Sequence, residues 1–226
     1  MTNHKIYANE ELSSWRERSG LLEKEQYFIE KYIKNKGRLI EAGTGGGRIA
    51  LETKRLYPHL DIVAFDFVEE MIESAKSKSS KIDFRVNDAS NLSSFADESF
   101  EFAIYLQQIV SLVPHELIPK VLDEIYRILK KDGLVIFSFL SYEGRKINYI
   151  LSFLTNTVRK VRGEKWERQR LPWLKLAGKA NLSLFDKGVA TTYWFYQEEI
   201  EKKLQDISFE IIEVKVDNMI YIVCKK

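Results

Sequence analysis

The sequence predicts an α/β fold: a seven-stranded, mostly parallel sheet with helices on both faces and an antiparallel C-terminal hairpin. Three observations lead there. Short apolar runs alternate with longer stretches of helical period, the pattern of strands joined by crossover helices. The first of these runs leads into a glycine-rich turn, "EAGTGGGR", of the kind that links a strand to a helix. Near the end of the chain two β-rich runs, "FEIIEVKV" and "MIYIVCKK", are separated only by "DN", which is hairpin spacing.

Taken in order, "LLEKEQYFIEKYIKNKG" predicts a helix ahead of the sheet. Strands follow at 38–42 ("RLIEA"), 61–66 ("DIVAFD"), 82–87 ("IDFRVN"), 100–106 ("FEFAIYL") and 133–140 ("GLVIFSFL"). Between them, "VEEMIESAKSKSS" carries acids in its first turn and lysines in its last, as a helix dipole prefers. "PHELIPKVLDEIYRILKKDG" places Leu117, Val121, Leu122, Ile125, Ile128 and Leu129 on one face, and its "KKDG" predicts a basic last turn with a glycine stop. "QEEIEKKLQD" is a short final helix before the hairpin. The expected organisation is one domain over 1–226. Residues 1–36 form an N-terminal helical cap, 37–140 the ligand-binding core, 141–196 a lid inserted between strand five and the last helix, and 197–226 the final helix and hairpin.

Composition narrows the function classes. At 226 residues, with 45% hydrophobic and 30% charged side chains, the chain suits one substantial globular core. No apolar stretch reaches membrane-spanning length, and "MTNHKIYANEELSSW" lacks the apolar centre of a signal peptide, so a cytoplasmic location is expected. The lone Cys224 forms neither an intramolecular disulfide nor a C-x-x-C site. His4, His59 and His115 are too scattered for a zinc site, so no metal is expected. The formal net charge of +2 hides an asymmetry: residues 141–190 hold 11 basic and 4 acidic side chains.

The glycine turn carries the chemistry. Glycine lets the backbone pass close to a ligand, and the helix beyond the turn offers unpaired N–H groups. In an open α/β sheet this first strand-to-helix turn is where a nucleotide lies, and Asp66, 23 residues after Gly43, stands where a carboxylate accepts from ribose hydroxyls. The dinucleotide fingerprint G-x-G-x-x-G is broken, because Arg48 occupies the third glycine position. Glu41, two residues before the turn, would repel a pyrophosphate and suit a cationic amino group. That combination points to a nucleoside bearing an amino acid and a positive sulfur.

At these residues the sequence resembles the class I S-adenosylmethionine-dependent methyltransferases, which share a Rossmann-like sheet. "EAGTGGGR" is similar to their first motif, "VAFDFVEEMIESAK" to the ribose-binding strand and helix, and "RVNDASNL" to the third-strand segment. "SFEFAIYLQQIVSLVP" resembles the fourth strand, with Glu101 where aspartate is commoner, and "EIYRILKKDGLVIFS" the approach to strand five, with Lys131 and Asp132 replacing Pro and Gly. The resemblance covers about 37–140 and the terminal hairpin. It implies S-adenosylmethionine as cofactor and S-adenosylhomocysteine as product. Glu41 would lie near the methionine amino group, with Gly43, Gly45 and Gly47 lining the methionyl end. Asp66 would hold the ribose, Phe67 and Met71 would pack on adenine, Asp88 and Ala89 would meet its edge, and Gln107 would face the sulfonium.

The acceptor is expected to be a small organic molecule, methylated at oxygen or nitrogen. Should its nucleophile be a hydroxyl, His115 and Tyr142 are the candidate bases by position. Trp15 and Arg18, with Trp166, Trp173, Tyr193 and Trp194 of the insertion, are the candidate acceptor-binding residues. Aromatic surface with arginines suits a planar or anionic metabolite, although the same rings would serve as the lid's own core. Basic residues interleaved with tryptophan would also suit an RNA acceptor, although a pI near 8.4 is modest for nucleic-acid binding and no RNA-binding module is evident. "INYILSFLTNTVRKVRGEKW" sets an apolar stretch before a cationic one, which suits peripheral membrane contact and a lipid or quinone acceptor. An NAD-dependent oxidoreductase and a non-catalytic nucleoside-binding protein are the remaining alternatives. The oligomeric state is open.

Overall fold

The computed structural model describes residues 18–144, 149–163, 170–171, 175–176, 179–180 and 192–226. Along the chain run α1 (Glu23–Tyr32), β1 (Arg38–Ala42), α2 (Arg48–Leu56), β2 (Asp61–Asp66), α3 (Glu69–Lys78), β3 (Asp83–Val86) and β4 (Phe100–Tyr105). Next come α4 (Ile109–Leu112), α5 (Ile118–Ile128), β5 (Leu129–Leu140) and α6 (Tyr149–Val161). Four two-residue strands follow, β6 (Arg170–Leu171), β7 (Lys175–Leu176), β8 (Lys179–Ala180) and β9 (Thr192–Tyr193), before α7 (Gln197–Asp206), β10 (Glu210–Val216) and β11 (Met219–Lys225).

Seven strands form one sheet in the order β10-β11-β5-β4-β1-β2-β3. β1 to β5 pair in parallel, and β11 joins β5 antiparallel with β10 outside it. The chain winds from β1 outward through β2 and β3, then returns to place β4 on the other side of β1. The order therefore reverses at β1/β4, and the crevice beyond their carboxyl ends is where this architecture takes ligands.

Strand residues alternate between two cores, since successive side chains point to opposite faces. Ile40, Val63, Phe65, Ala103, Tyr105 and Val135 meet α5 and α7 on one side. Leu39, Ile62, Ala64, Ile104 and Ile136 meet α1, α2 and α3 on the other. Burial on both faces explains why β1, β2 and β4 read as continuous apolar runs. Cys224 lies in β11, fully buried, and burial pushes its thiol well above the ordinary range.

One element differs from the sequence reading. α5 stops at Ile128, and Leu129, placed above on the helix face, is the first residue of β5. "KKDG" is thus a bulge within the strand. The β4–β5 register shifts between Phe100 and Phe102, and Asp132 adopts φ 63°. Hydrogen bonds from Asp132 N–H to the Lys226 carbonyl and from Lys226 N–H to the Gly133 carbonyl pin the bulge to the end of β11. A long-range pairing has overridden a local helix-stop signal.

Candidate active site

The turn after β1 is built on three glycines in the left-handed region, Gly43 (φ 64°), Gly45 (φ 54°) and Gly47 (φ 86°). Their reasons differ. A Cβ on Gly43 would lie 2.0 Å from Ile109 Cδ1, so here glycine admits α4. A Cβ on Gly45 would meet nothing within 4 Å, so the turn is open there to whatever lies against it.

Asp66, at the carboxyl end of β2, faces this opening. Its Oδ2 accepts from Gly45 N–H at 2.8 Å and its Oδ1 from Val68 N–H at 3.0 Å. Burial raises its pKa, and these backbone donors work against the rise. The neighbouring Phe67 ring is 49% exposed at the end of the strand, while Met71 is buried in the first turn of α3. Asp88, exposed beyond β3, accepts from Ser90 N–H at 2.7 Å and Ser90 Oγ at 2.8 Å, and Ala89 is half-buried against the core.

Glu41 sits beneath the turn, 2% exposed, where its Oε2 accepts from Thr44 Oγ1 at 2.8 Å. Burial raises its pKa to about 8 against the pull of Thr44 and the positive charge of Arg48. Its carboxyl is therefore largely protonated at neutral pH, and a cation brought close would restore the charge.

Gln107 and Gln108, in the turn just after β4, have φ 57° and 55°, two consecutive non-glycine residues in the left-handed region. Such strain gathers where a chain must present a particular group. Gln108 N–H is held by Ser138 Oγ at 3.0 Å. The Gln107 side-chain amide donates to Glu25 of α1. Glu25, 1% exposed, also takes both arms of Arg48, with Nη1 at 2.6 Å and Nη2 at 2.7 Å. On its other side the turn is tied by Lys78, whose Nζ donates to the Gly46 carbonyl at 2.8 Å. Glu25, Thr44 and Lys78 carried no signal in the sequence. Each is an ordinary surface-type residue whose partner lies on another element or inside the turn.

The candidate bases and acceptor-binding residues are distributed as follows. The His115 imidazole, half-buried in the 3-10 turn before α5, stacks on Tyr193 with ring centroids 4.2 Å apart. Tyr142 packs against Leu140 and Trp194, 4.8 Å from the Tyr196 ring. Trp194 is buried and its indole N–H donates to Thr192 Oγ1 at 2.8 Å, so packing accounts for this ring. Arg18 lines a surface cleft of about 490 Å³ with Arg48, Glu52, Ser74 and Lys78. Trp15, Trp166 and Trp173 lie outside the described residues.

A left-handed glycine turn open at Gly45, a carboxylate at the end of the next strand and an exposed ring beside it lie together at the carboxyl end of the parallel strands of an α/β domain. The sequence profile described as "Methyltransferase domain" matches residues 39–133. Over these residues the chain is similar to S-adenosylmethionine-dependent methyltransferases. It is 36% identical over 99 residues to a ubiquinone/menaquinone biosynthesis C-methyltransferase of Desulfotalea psychrophila, covering 43% of this chain and 39% of that one. A SAM-dependent methyltransferase from Methanosarcina mazei superposes with a TM-score of 0.68 at 21% identity over 88% of this chain and 96% of its own. A 1,6-didemethyltoxoflavin-N1-methyltransferase from Burkholderia thailandensis, solved with bound 1,6-didemethyltoxoflavin and S-adenosylhomocysteine, has a TM-score of 0.63 at 14% identity, covering 100% of this chain and 91% of its own. The chain spans between 39% and 53% of the length of the curated relatives it matches.

Proposed function

We propose that this protein transfers a methyl group from S-adenosylmethionine to a small organic acceptor. The observation that carries the reading is the pairing of the open turn at Gly45 with the Asp66 carboxylate, one residue from the exposed Phe67. These groups fit a purine nucleoside with a cationic tail. Asp66 would take the ribose hydroxyls, Phe67 would cover the adenine, and Asp88 with Ala89 N–H would meet its edge. Glu41 would answer the ammonium and Gln107 would lie toward the acceptor. When bound, the cofactor supplies a methyl group already activated on a positively charged sulfur. The chain's part is then chiefly to hold an acceptor in line, which is worth about 7–11 kcal/mol of barrier in favourable cases.

The finer reading is an aromatic or anionic acceptor held under the 141–196 insertion, supported by the aromatic groups that cluster where β5 ends. A hydroxyl acceptor would need its proton removed, and His115 and Tyr142 are the groups within that cluster able to take it. A quinone acceptor is the second reading, favoured by the apolar outer face of α6 and by the activity named for the Desulfotalea relative.

The test is release of S-adenosylhomocysteine over a panel of phenols, amines, carboxylates and quinols. Turnover on one class establishes the reaction and names the acceptor. Tight cofactor binding with no turnover on any of them would favour the non-catalytic nucleoside-binding alternative.

A further inference from the structure

α6 (Tyr149–Val161) is turned inside out. Ile150, Phe153, Leu154 and Val161 are 76%, 68%, 53% and 83% exposed. Their spacing of three, four, seven and eleven places them on one stripe of the helix. Ser152, Thr155, Asn156 and Arg159 occupy the opposite stripe and are buried. Among the described residues, Ser152 Oγ, Thr155 Oγ1 and Asn156 Oδ1 are buried without a hydrogen-bond partner.

In water this is the unfavourable way round, because it exposes aliphatic surface and strips polar atoms of solvent. The orientation becomes favourable if the outer stripe meets an apolar phase. Charge identifies which one. Lys160 is exposed beside the stripe, and the sequence stretch 141–190 to which α6 belongs carries 11 basic against 4 acidic side chains. A second copy of this chain would bring the same positive excess to the contact. A nucleic acid would gain little from Ile150, Leu154 and Val161, which offer no ring for a base to stack on. An anionic lipid surface satisfies both the apolar stripe and the basic excess. Among the described residues no helix is long and apolar enough to cross a membrane, so the helix would lie along the surface.

We propose that α6 seats the protein on an anionic phospholipid bilayer, with Ile150, Phe153, Leu154 and Val161 among the acyl chains and Lys160 at the headgroup phosphates. This binding is independent of the reaction proposed above. α6 follows in the chain after β5, whose carboxyl end lies at the end of the sheet that also holds the glycine turn and Gln107.

The test is co-sedimentation of the whole protein with vesicles of phosphatidylcholine alone and of phosphatidylcholine mixed with phosphatidylglycerol. The expected result is binding to the mixed vesicles that weakens with salt. Phe153→Ser with Leu154→Ser should reduce it by roughly tenfold or more, leaving far-ultraviolet circular dichroism and S-adenosylhomocysteine affinity unchanged. Lys160→Gln should reduce the preference for anionic lipid. A Phe153→Trp protein, which keeps the stripe apolar, should show a blue-shifted emission that brominated lipid quenches. The proposal is overturned by absence of vesicle binding at low salt, or by binding that the double variant leaves intact. It is equally overturned if ultracentrifugation shows a dimer that the double variant dissolves, or if RNA binds through Lys160 while the indole emission of the Phe153→Trp protein ignores lipid.

Discussion

Arg48 grips Glu25 with both guanidinium arms, at 2.6 and 2.7 Å, and through this pair α1 is fastened to the first turn of α2 beside the glycine turn. Arg48 is the residue that breaks the dinucleotide fingerprint, and the contact shows what replaced the third glycine. The ion pair brings α1 against the glycine turn. The same carboxylate receives Gln107, so the turns after β1 and β4 share one acid.

Breaking that pair from one side should be costly. Arg48→Met strands a buried carboxylate, and a loss of about 3–5 kcal/mol in urea unfolding is expected. Glu25→Met combined with Arg48→Met should recover most of the loss. Additive effects in this double-mutant cycle would show that the two residues are not coupled.

Asp66→Ala removes the acceptor proposed for the ribose and also releases Gly45 N–H. Calorimetry should show S-adenosylhomocysteine binding weakened by about 1.5–3 kcal/mol, the range for hydrogen bonds to a charged group. Unchanged affinity would take Asp66 out of the site.

The two glycines separate fold from ligand. Gly43→Ala drives a methyl into Ile109 from a left-handed backbone, so about 2–4 kcal/mol of stability should be lost, part of it regained with Ile109→Ala. Gly45→Ala meets no neighbour and should cost only about 1–2 kcal/mol of stability. Its methyl would occupy the space left for the ligand, and cofactor affinity should fall at least about tenfold, or ~1.4 kcal/mol. Equal effects of the two variants on binding and on melting would refute this division.

Glu41 gives the protein a pH signature. Its folded pKa, near 8, lies above the ordinary 4.5, so the folded state keeps a proton that the unfolded state has released. Stability from this group should therefore fall by a few kcal/mol as pH rises from about 4.5 to about 8, and Glu41→Gln should flatten that slope. An ammonium bound beside it would lower the pKa. Binding of S-adenosylhomocysteine at neutral pH should then release on the order of one proton, measurable by calorimetry in buffers of different ionisation enthalpy. Identical heats in all buffers would place the ammonium elsewhere.

Much of this architecture could be read from the chain because its signals are local. β1, β2 and β4 are buried on both faces and announce themselves as apolar runs, and the glycines of the turn and the acid ending β2, which meet in the Gly45–Asp66 hydrogen bond, stand out by type and spacing. What stayed hidden is set by partners distant in sequence. The "KKDG" bulge takes its form from Lys226, and nothing near Glu25 signals that Arg48, 23 positions on, will claim it. The α6 segment shows a third limit. Periodicity reveals that a helix has two faces, but only packing decides which is turned inward, and here the polar one is.

On the proposed reading, the turn between β1 and α2 holds the amino-acid-bearing nucleoside of a methyl donor rather than a dinucleotide. Parallel calorimetric titrations of the wild-type protein with S-adenosylhomocysteine and with NAD test it most directly. Saturable binding of S-adenosylhomocysteine that Asp66→Ala weakens, with no competition from NAD, is expected. Saturable binding of NAD, with no heat from S-adenosylhomocysteine, would contradict it.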